Sequence, residues 1–226
     1  MEKLFYIFLY FVFYSVIGYI CEVFYVYLGD KKWVNRGFMH GPYIPIYGNG
    51  AMLVSFAITS MHIKKDSFII FLFGLVLCSL LEYTTSYVME KVFHNRWWDY
   101  SEKKYNLNGR VCLQNSVLFG VGSVAIIYLF NPLFNKLYHV MSTTTVMWIS
   151  IIIFIIMLTD FLISFFEALK VSSVASHLDK LIEEYEKKKA LGQKIKTRLI
   201  EAYPYLVKRN TKLLDKLKKL KNKDKN

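Results

Sequence analysis

Three acids lie inside apolar stretches where a carboxylate is out of place: Glu22, Glu82 and Asp160. A charged side chain at the centre of a bilayer costs at least ~2.5–3.5 kcal/mol, so each acid must face a partner or a cavity. Helical spacing joins them to further polar groups. Ser79, Glu82 and Ser86 fall at i, i+3, i+7, and Asp160, Ser164 and Glu167 at i, i+4, i+7. Residues so spaced line one side of a helix. Arg36, Asp99, Asn108, Arg110 and Asn115 stand close to the apolar stretches in sequence. Carboxylates, amides and guanidinium groups gathered at one place could bind a substrate or an ion. They could also catalyse, with Glu82 or Asp99 as general base and Arg36 and Arg110 holding a phosphate.

The elements that carry these groups are long and apolar. The chain has 226 residues, 54% of them hydrophobic, above the ~45–50% of a soluble domain and gathered in blocks. A membrane span needs roughly 20 mostly apolar residues. Five stretches qualify: 4–28, 47–63, 67–90, 111–131 and 144–166, the second being the shortest. The expected architecture is an all-α integral membrane protein of about five transmembrane helices over residues 1–166. A basic, amphipathic helical tail over 167–226 follows. Residues 132–141 are too short to span and are assigned to the interface. The first apolar run is roughly 25 residues, against 7–15 for a signal peptide, and reads as a retained anchor.

Charge sets the direction. The tail holds 17 Lys/Arg against 8 Asp/Glu. With the N-terminus outside, the inner segments carry these 17 together with Lys31, Lys32, Arg36, Lys91, Arg96, Lys103, Lys104 and Arg110, while the outer ones carry only Lys3, Lys64, Lys65 and Lys136. Basic residues favour the cytoplasmic side, so the expected topology is N-out, C-in. Glu22, Glu82 and Asp160 then lie ~9, ~12 and ~15 Å from the cytoplasmic helix ends, at 1.5 Å per residue. Asn115 and Gln114 enter from the same side. A polar cavity opening to the cytoplasm would satisfy all of them, as would separate local partners.

Two stretches outside the runs are unusual. Residues 35–50 hold four of the eleven glycines and two of the four prolines. Glycine and proline at this density argue against continuous helix through the stretch and for a re-entrant or broken-helix start to the second span or an ordinary loop. The other reads Arg96-Trp97-Trp98-Asp99-Tyr100, then Asn106-Leu107-Asn108-Gly109-Arg110. Its tryptophans suit an aromatic belt, and its Asp and Asn suit side chain-to-backbone turns. Arg110 begins the fourth span and needs an acid, with Asp99, Glu22 and Glu82 as candidates.

Gly18-Tyr19-x-x-Glu22, Asn35-Arg36-Gly37-Phe38, Gly41-Pro42-Tyr43, Pro45-Ile46-Tyr47-Gly48 and the tryptophan loop together resemble one bacterial family of membrane proteins, the ABC-transporter type IV or ABC transporter permease family. The resemblance covers residues 15–135. It implies a small multispan protein of the bacterial cell membrane and, through the family's label, transport. The Glu-Ala-Ala…Gly coupling signature of ABC importer permeases is missing.

No G-x-x-x-x-G-K-[ST] loop is present, so ATP could drive this chain only through a separate ATPase subunit. No H-E-x-x-H or G-x-S-x-G motif and no paired cysteines occur, and no cofactor or metal site is expected. Cys21, Cys78 and Cys112 are too dispersed for a disulfide framework. Stripes at Leu178, Leu181, Ile182 and Tyr185, and later at Leu213, Leu214, Leu217 and Leu220, mark the tail as amphipathic. Its partner would be anionic lipid or a protein; with spans attached, a membrane surface explains the basic excess more simply than nucleic acid. Five spans rarely enclose a pathway alone, which favours a homodimer or recruited partners. A transporter or permease subunit, a membrane enzyme acting on lipid headgroups, and a non-transporting assembly subunit all remain open.

Overall fold

The structure, a computed structural model, describes residues 2–61, 66–94 and 96–176. The expected tail helices from 177 onward lie outside the described residues. Helix α1 runs Glu2–Asp30, α2 Pro45–Ser60, α3 Ser67–Phe93, α4 Leu113–Ala125, α5 Asn131–Val140 and α6 Thr143–Ser176. A two-stranded hairpin, β1 Asn106–Leu107 and β2 Val111–Cys112, stands between α3 and α4. Four helical stretches are long and apolar enough to cross a membrane: Glu2–Gly29, Ser67–Phe93, Leu113–Val140 and Thr143–Lys170. Their outward side chains are apolar, among them Leu4, Phe24, Phe68, Leu72, Val76, Val121, Ile155 and Ile156. Such a surface is stable only in lipid, and the helices satisfy their own backbone groups there. The chain is an all-α membrane protein.

Two stretches differ from expectation. The segment after residue 131 is no separate interfacial helix. It continues α4 through a π-helical turn at Ile126–Phe130, in which the Asn131 N–H donates to the Ile126 carbonyl. Pro132 cannot donate, and the widened turn absorbs that loss without ending the helix. The second expected span is α2, only 16 residues, or ~24 Å against a hydrocarbon core of ~30 Å.

The chain before α2 makes up the difference. The Ile44 N–H donates to the Ser15 carbonyl at 2.9 Å, so α2 starts beside the middle of α1. The backbone has therefore descended alongside α1 from Lys31. Trp33 stacks on Tyr27, with ring centroids 4.5 Å apart, on the way down. The contact between α1 and α2 needs glycine at Gly48, where a Cβ would lie 2.5 Å from the Phe11 carbonyl oxygen. Small residues let membrane helices approach closely and gain dispersion contact, which replaces the hydrophobic drive available in water. The α3–α4 pair does the same. Gly74 sits against Ser123, and the Ser79 hydroxyl donates to Ser116 at 2.6 Å.

The hairpin follows from its turn residues. Asn108 and Gly109 both have positive φ, 54° and 69°, and the Arg110 N–H closes the turn on the Leu107 carbonyl. Asn-Gly is the favoured pair for this type I′ geometry.

Candidate functional site

Two carboxyls, Glu22 on α1 and Glu82 on α3, lie near enough to interact electrostatically. Glu22 faces α2, and the Tyr47 hydroxyl donates to its Oε1 over 2.5 Å. Gly18 makes room for this, because a Cβ there would overlap the Tyr47 ring. Glu82 on α3 is 6% exposed, and its Oε1 accepts from the Tyr100 hydroxyl at 3.1 Å. Asn115, in the first turn of α4, lies beside the Glu82 carboxyl, and Glu22 is near enough to interact with it electrostatically. Burial first, and then the Glu82 and Glu22 carboxylates, push the Tyr100 phenol well above its ordinary value. Tyr100 is therefore fixed as a donor. Glu82 Oε2 is buried without a hydrogen-bond partner among the described residues. Nor does any described Arg, Lys or His pair with either carboxyl.

Arg110 belongs to a different cluster. It is 8% exposed. One guanidinium nitrogen lies 2.6 Å from Glu90 Oε2 and another donates to the Ser86 hydroxyl at 3.2 Å. Its plane sits over the rings of Tyr83 and Tyr87, 5.7 and 5.4 Å from their centroids. The expected partners Asp99, Glu22 and Glu82 are thus replaced by Glu90. The reason is helical phase. Tyr83, Ser86, Tyr87 and Glu90 share the α3 face beside the hairpin, while Glu82 is rotated away and lies ~12 Å deeper than Glu90. The sequence signal for Glu90 is its i+4 spacing from Ser86, which its place at the end of the apolar run makes inconspicuous. Arg96 joins the same carboxylate at 3.0 Å and donates to the Asn108 carbonyl. Asn108 in turn donates to the Tyr83 hydroxyl. Asp99 accepts from the Ser101 N–H and hydroxyl, as a turn-forming Asp does.

Asp160 anchors the descending loop. It accepts from the His40 and Gly41 N–H groups at 3.0 and 2.8 Å and from the Tyr43 hydroxyl at 2.7 Å. Burial and then this carboxylate raise the Tyr43 phenol. The His40 ring spans the whole polar face of α6, with Nδ1 on Asp160 and Ser164 and Nε2 on Glu167 at 3.1 Å. Its two nitrogens point at different acids, so these groups do not converge on a metal, and among the described residues no such metal-binding group occurs. Arg36 is half-buried in the same loop and takes no part in these contacts.

The eight residues read from the sequence therefore fall into separate neighbourhoods. Asn115 lies beside Glu82, and Glu22 interacts with Glu82 electrostatically. Asp99, Asn108 and Arg110 build the hairpin cluster. Asp160 holds the loop.

The profile of a family described as "Putative ABC-transporter type IV" matches residues 9–165. The chain belongs to this family. Comparison with curated proteins and with solved structures returns no match. The ABC-transporter type IV segment contains both carboxyls, both tyrosines, the Arg110 cluster and Asp160, and leaves out Glu167 and the tail. It also contains a network of neutral groups. The Tyr10 and Tyr14 hydroxyls both donate to Asn131 Oδ1, at 2.7 and 2.6 Å, and the Asn131 amide donates to Ser55. Tyr6 continues it to Asn135. Tyr6, Tyr10 and Tyr14 are spaced by four residues on α1, a periodicity that could have identified them. This neutral network ties α1, α2 and the π-turn together in the half of the bundle opposite the carboxyl pair.

Proposed function

We propose that this chain is the permease subunit of a transporter, with Glu22, Tyr47, Glu82, Tyr100 and Asn115 lining the translocation site. Its N-terminus is outside and its C-terminus cytoplasmic, so the site lies in the cytoplasmic half beneath residues 31–44 and the hairpin. Energy comes from a separate ATPase subunit, because the chain has no nucleotide-binding loop of its own. The observation that supports the reading best is the contrast among acids. Glu90 meets two arginines, and Asp160 and Glu167 share the His40 ring, whereas Glu22 and Glu82 meet only hydroxyls and an amide. Structural acids are satisfied; this pair is held open. The competing role of Arg110 as a phosphate holder in a lipid enzyme loses support, because Glu90, Ser86 and two tyrosine rings already occupy its guanidinium.

The test is affinity purification of the full chain from its native membrane, followed by reconstitution. An ATPase should co-purify, and its hydrolysis in proteoliposomes should lose stimulation in the Glu82→Gln variant. Purification without any ATPase, together with a fully active Glu82→Gln variant, would reject the proposal.

A further inference from the structure

Helix α2 buries one face. Ala51 packs with Leu9 and Tyr10 of α1, and Val54 and Ile58 pack with Ile70 of α3. On the opposite face Asn49, Leu53, Phe56 and Ser60 are exposed, Phe56 to 72%. Their spacing of four, three and four residues makes a single seam, the repeat by which parallel helices pair. The neighbours of this segment fix its depth. A Cβ on Gly48 would meet Phe11 and Ser15, near the middle of the span Glu2–Gly29, and one on Gly50 would meet Cys78 and Leu81, near the middle of Ser67–Phe93. Asn49, between them, therefore lies at mid-membrane, where no water can serve its amide. One of its N–H groups donates to the Pro45 carbonyl at 3.1 Å. The other N–H and Oδ1 have no partner among the described residues. Thr84 and Thr159, exposed on other spans, return their hydroxyls to their own helix backbone and need nothing from outside. At 16 residues, α2 is also shorter than the bilayer core, a mismatch relieved by thinning the lipid or by associating with another helix.

We propose that this face of α2 is the contact between two copies of the chain, with the two Asn49 amides hydrogen-bonded to each other. Symmetry and depth name the occupant. Copies inserted in one membrane share one orientation, so a twofold axis along the membrane normal sets α2 parallel to α2. Each residue near that axis then faces its own equivalent at its own depth. A carboxamide carries both donor and acceptor and is complementary to itself. In a seam of this kind an Asn fixes the register as well as adding a bond across the helices. Residues 177–226 hold no apolar stretch of span length, so the sequence offers no further span of the same chain for this face. The inference is independent of the transport reading and places the second copy beside α2.

The test is disulfide cross-linking of the full chain in its native membrane. With the three native cysteines replaced, single cysteines enter as Leu53→Cys or Phe56→Cys on the seam, and as Val76→Cys or Ile155→Cys on other exposed helix faces. Oxidation should give a product of twice the chain's mass from the seam variants and none from the other two. In the purified, fluorescently labelled chain in lipid vesicles, energy transfer on lipid dilution reads self-association. Asn49→Leu should weaken it roughly 3- to 30-fold, and Asn49→Gln, which keeps the amide, should restore most of the loss. A cross-linked product of another mass would assign the face to a different protein and overturn the inference. Equal cross-linking at seam and control positions, or none at the seam, would overturn it too. Unchanged self-association in a folded Asn49→Leu variant would remove the amide pair from it. Should Asn49→Leu fail to fold, the cross-linking decides alone, because its variants keep Asn49.

Discussion

Arg110→Ala is the substitution whose consequences the structure specifies most fully. Removing one member of a buried charge pair costs ~3–5 kcal/mol, mostly because the other charge is left uncompensated. Here the loss sits at the low end, since Glu90 keeps Arg96 at 3.0 Å and its side chain is 30% exposed. The Ser86 hydroxyl loses a charged donor, worth ~1.5 kcal/mol or more, and two tyrosine rings lose a cation worth ~0.5–1 kcal/mol each. These losses share one side chain and do not simply add, so the expected destabilisation is about 3 kcal/mol, a shift of roughly 150-fold in the folding equilibrium. The assay is denaturation of the purified protein in mixed micelles, followed by tryptophan fluorescence. Trp98 reports locally, because its indole N–H donates to the Arg110 carbonyl at 3.0 Å. Arg110→Lys should recover about half of the loss, since a point charge can face Glu90 but cannot also reach Ser86. A double-mutant cycle with Glu90→Gln should give a coupling of about 2 kcal/mol. A loss within ~0.5 kcal/mol of wild type, or a stronger coupling of Arg110 to Asp99 than to Glu90, would refute the reasoning.

Further outcomes follow from the same contacts. Asp160→Ala strips the acceptor from two backbone N–H groups and a tyrosine, so the descending loop should loosen. A Met39→Cys probe, at a position only 2% exposed, should change from protected to thiol-reactive, and continued protection would count against the anchor. Gly48→Ala drives a Cβ to 2.5 Å from the Phe11 carbonyl oxygen and should lower the folded yield. Gly122→Ala meets nothing within 4 Å and should be neutral or stabilising by up to ~1 kcal/mol; equal effects at the two glycines would contradict the α1–α2 packing. With the three native cysteines replaced, an impermeant reagent should label Lys136→Cys in intact cells and Lys104→Cys only after lysis, and the reverse pattern would invert the topology.

The membrane class was legible because span length and apolar composition are set by the bilayer itself. The α4 extension was misread because Pro132 ordinarily ends a helix, and a π-turn that absorbs it leaves no mark in a hydropathy pattern. Candidate acids were legible as anomalies within apolar runs. Their sorting was not, because it depends on helical phase between elements. Glu82 and Ser86 share a broad face of α3, yet one turns to Tyr100 and the other to Arg110. Glu90 went unseen for the opposite reason: at the end of an apolar run a carboxylate is no anomaly. The Tyr10–Tyr14–Asn131 network is neutral, and a reading that starts from charge passes over it.

The two carboxyls lie within long helices, whereas the hydroxyls that serve them stand at or beside loops, Tyr47 in the first turn of α2 and Tyr100 before the hairpin. Tyr47 opens α2 just beyond Ile44, and Tyr43 is fastened to Asp160. Tyr100 is fixed through its own N–H, which donates at 2.7 Å to the carbonyl of Gly109, the neighbour of Arg110. Each cluster thus holds one loop: the first leads into α2, whose first turn carries Tyr47, and the second carries Tyr100 itself. The expected consequence is selective. Arg110→Lys, which should fold, ought to disturb the Tyr100–Glu82 contact and leave Tyr47–Glu22 intact, and Asp160→Asn should do the reverse. Infrared bands of the two carboxyls, assigned through Glu22→Gln and Glu82→Gln, resolve the cases. Were both bands to shift equally in both variants, the loops would be acting as one rigid cap, and the pairing of each anchor with its own carboxyl would be wrong.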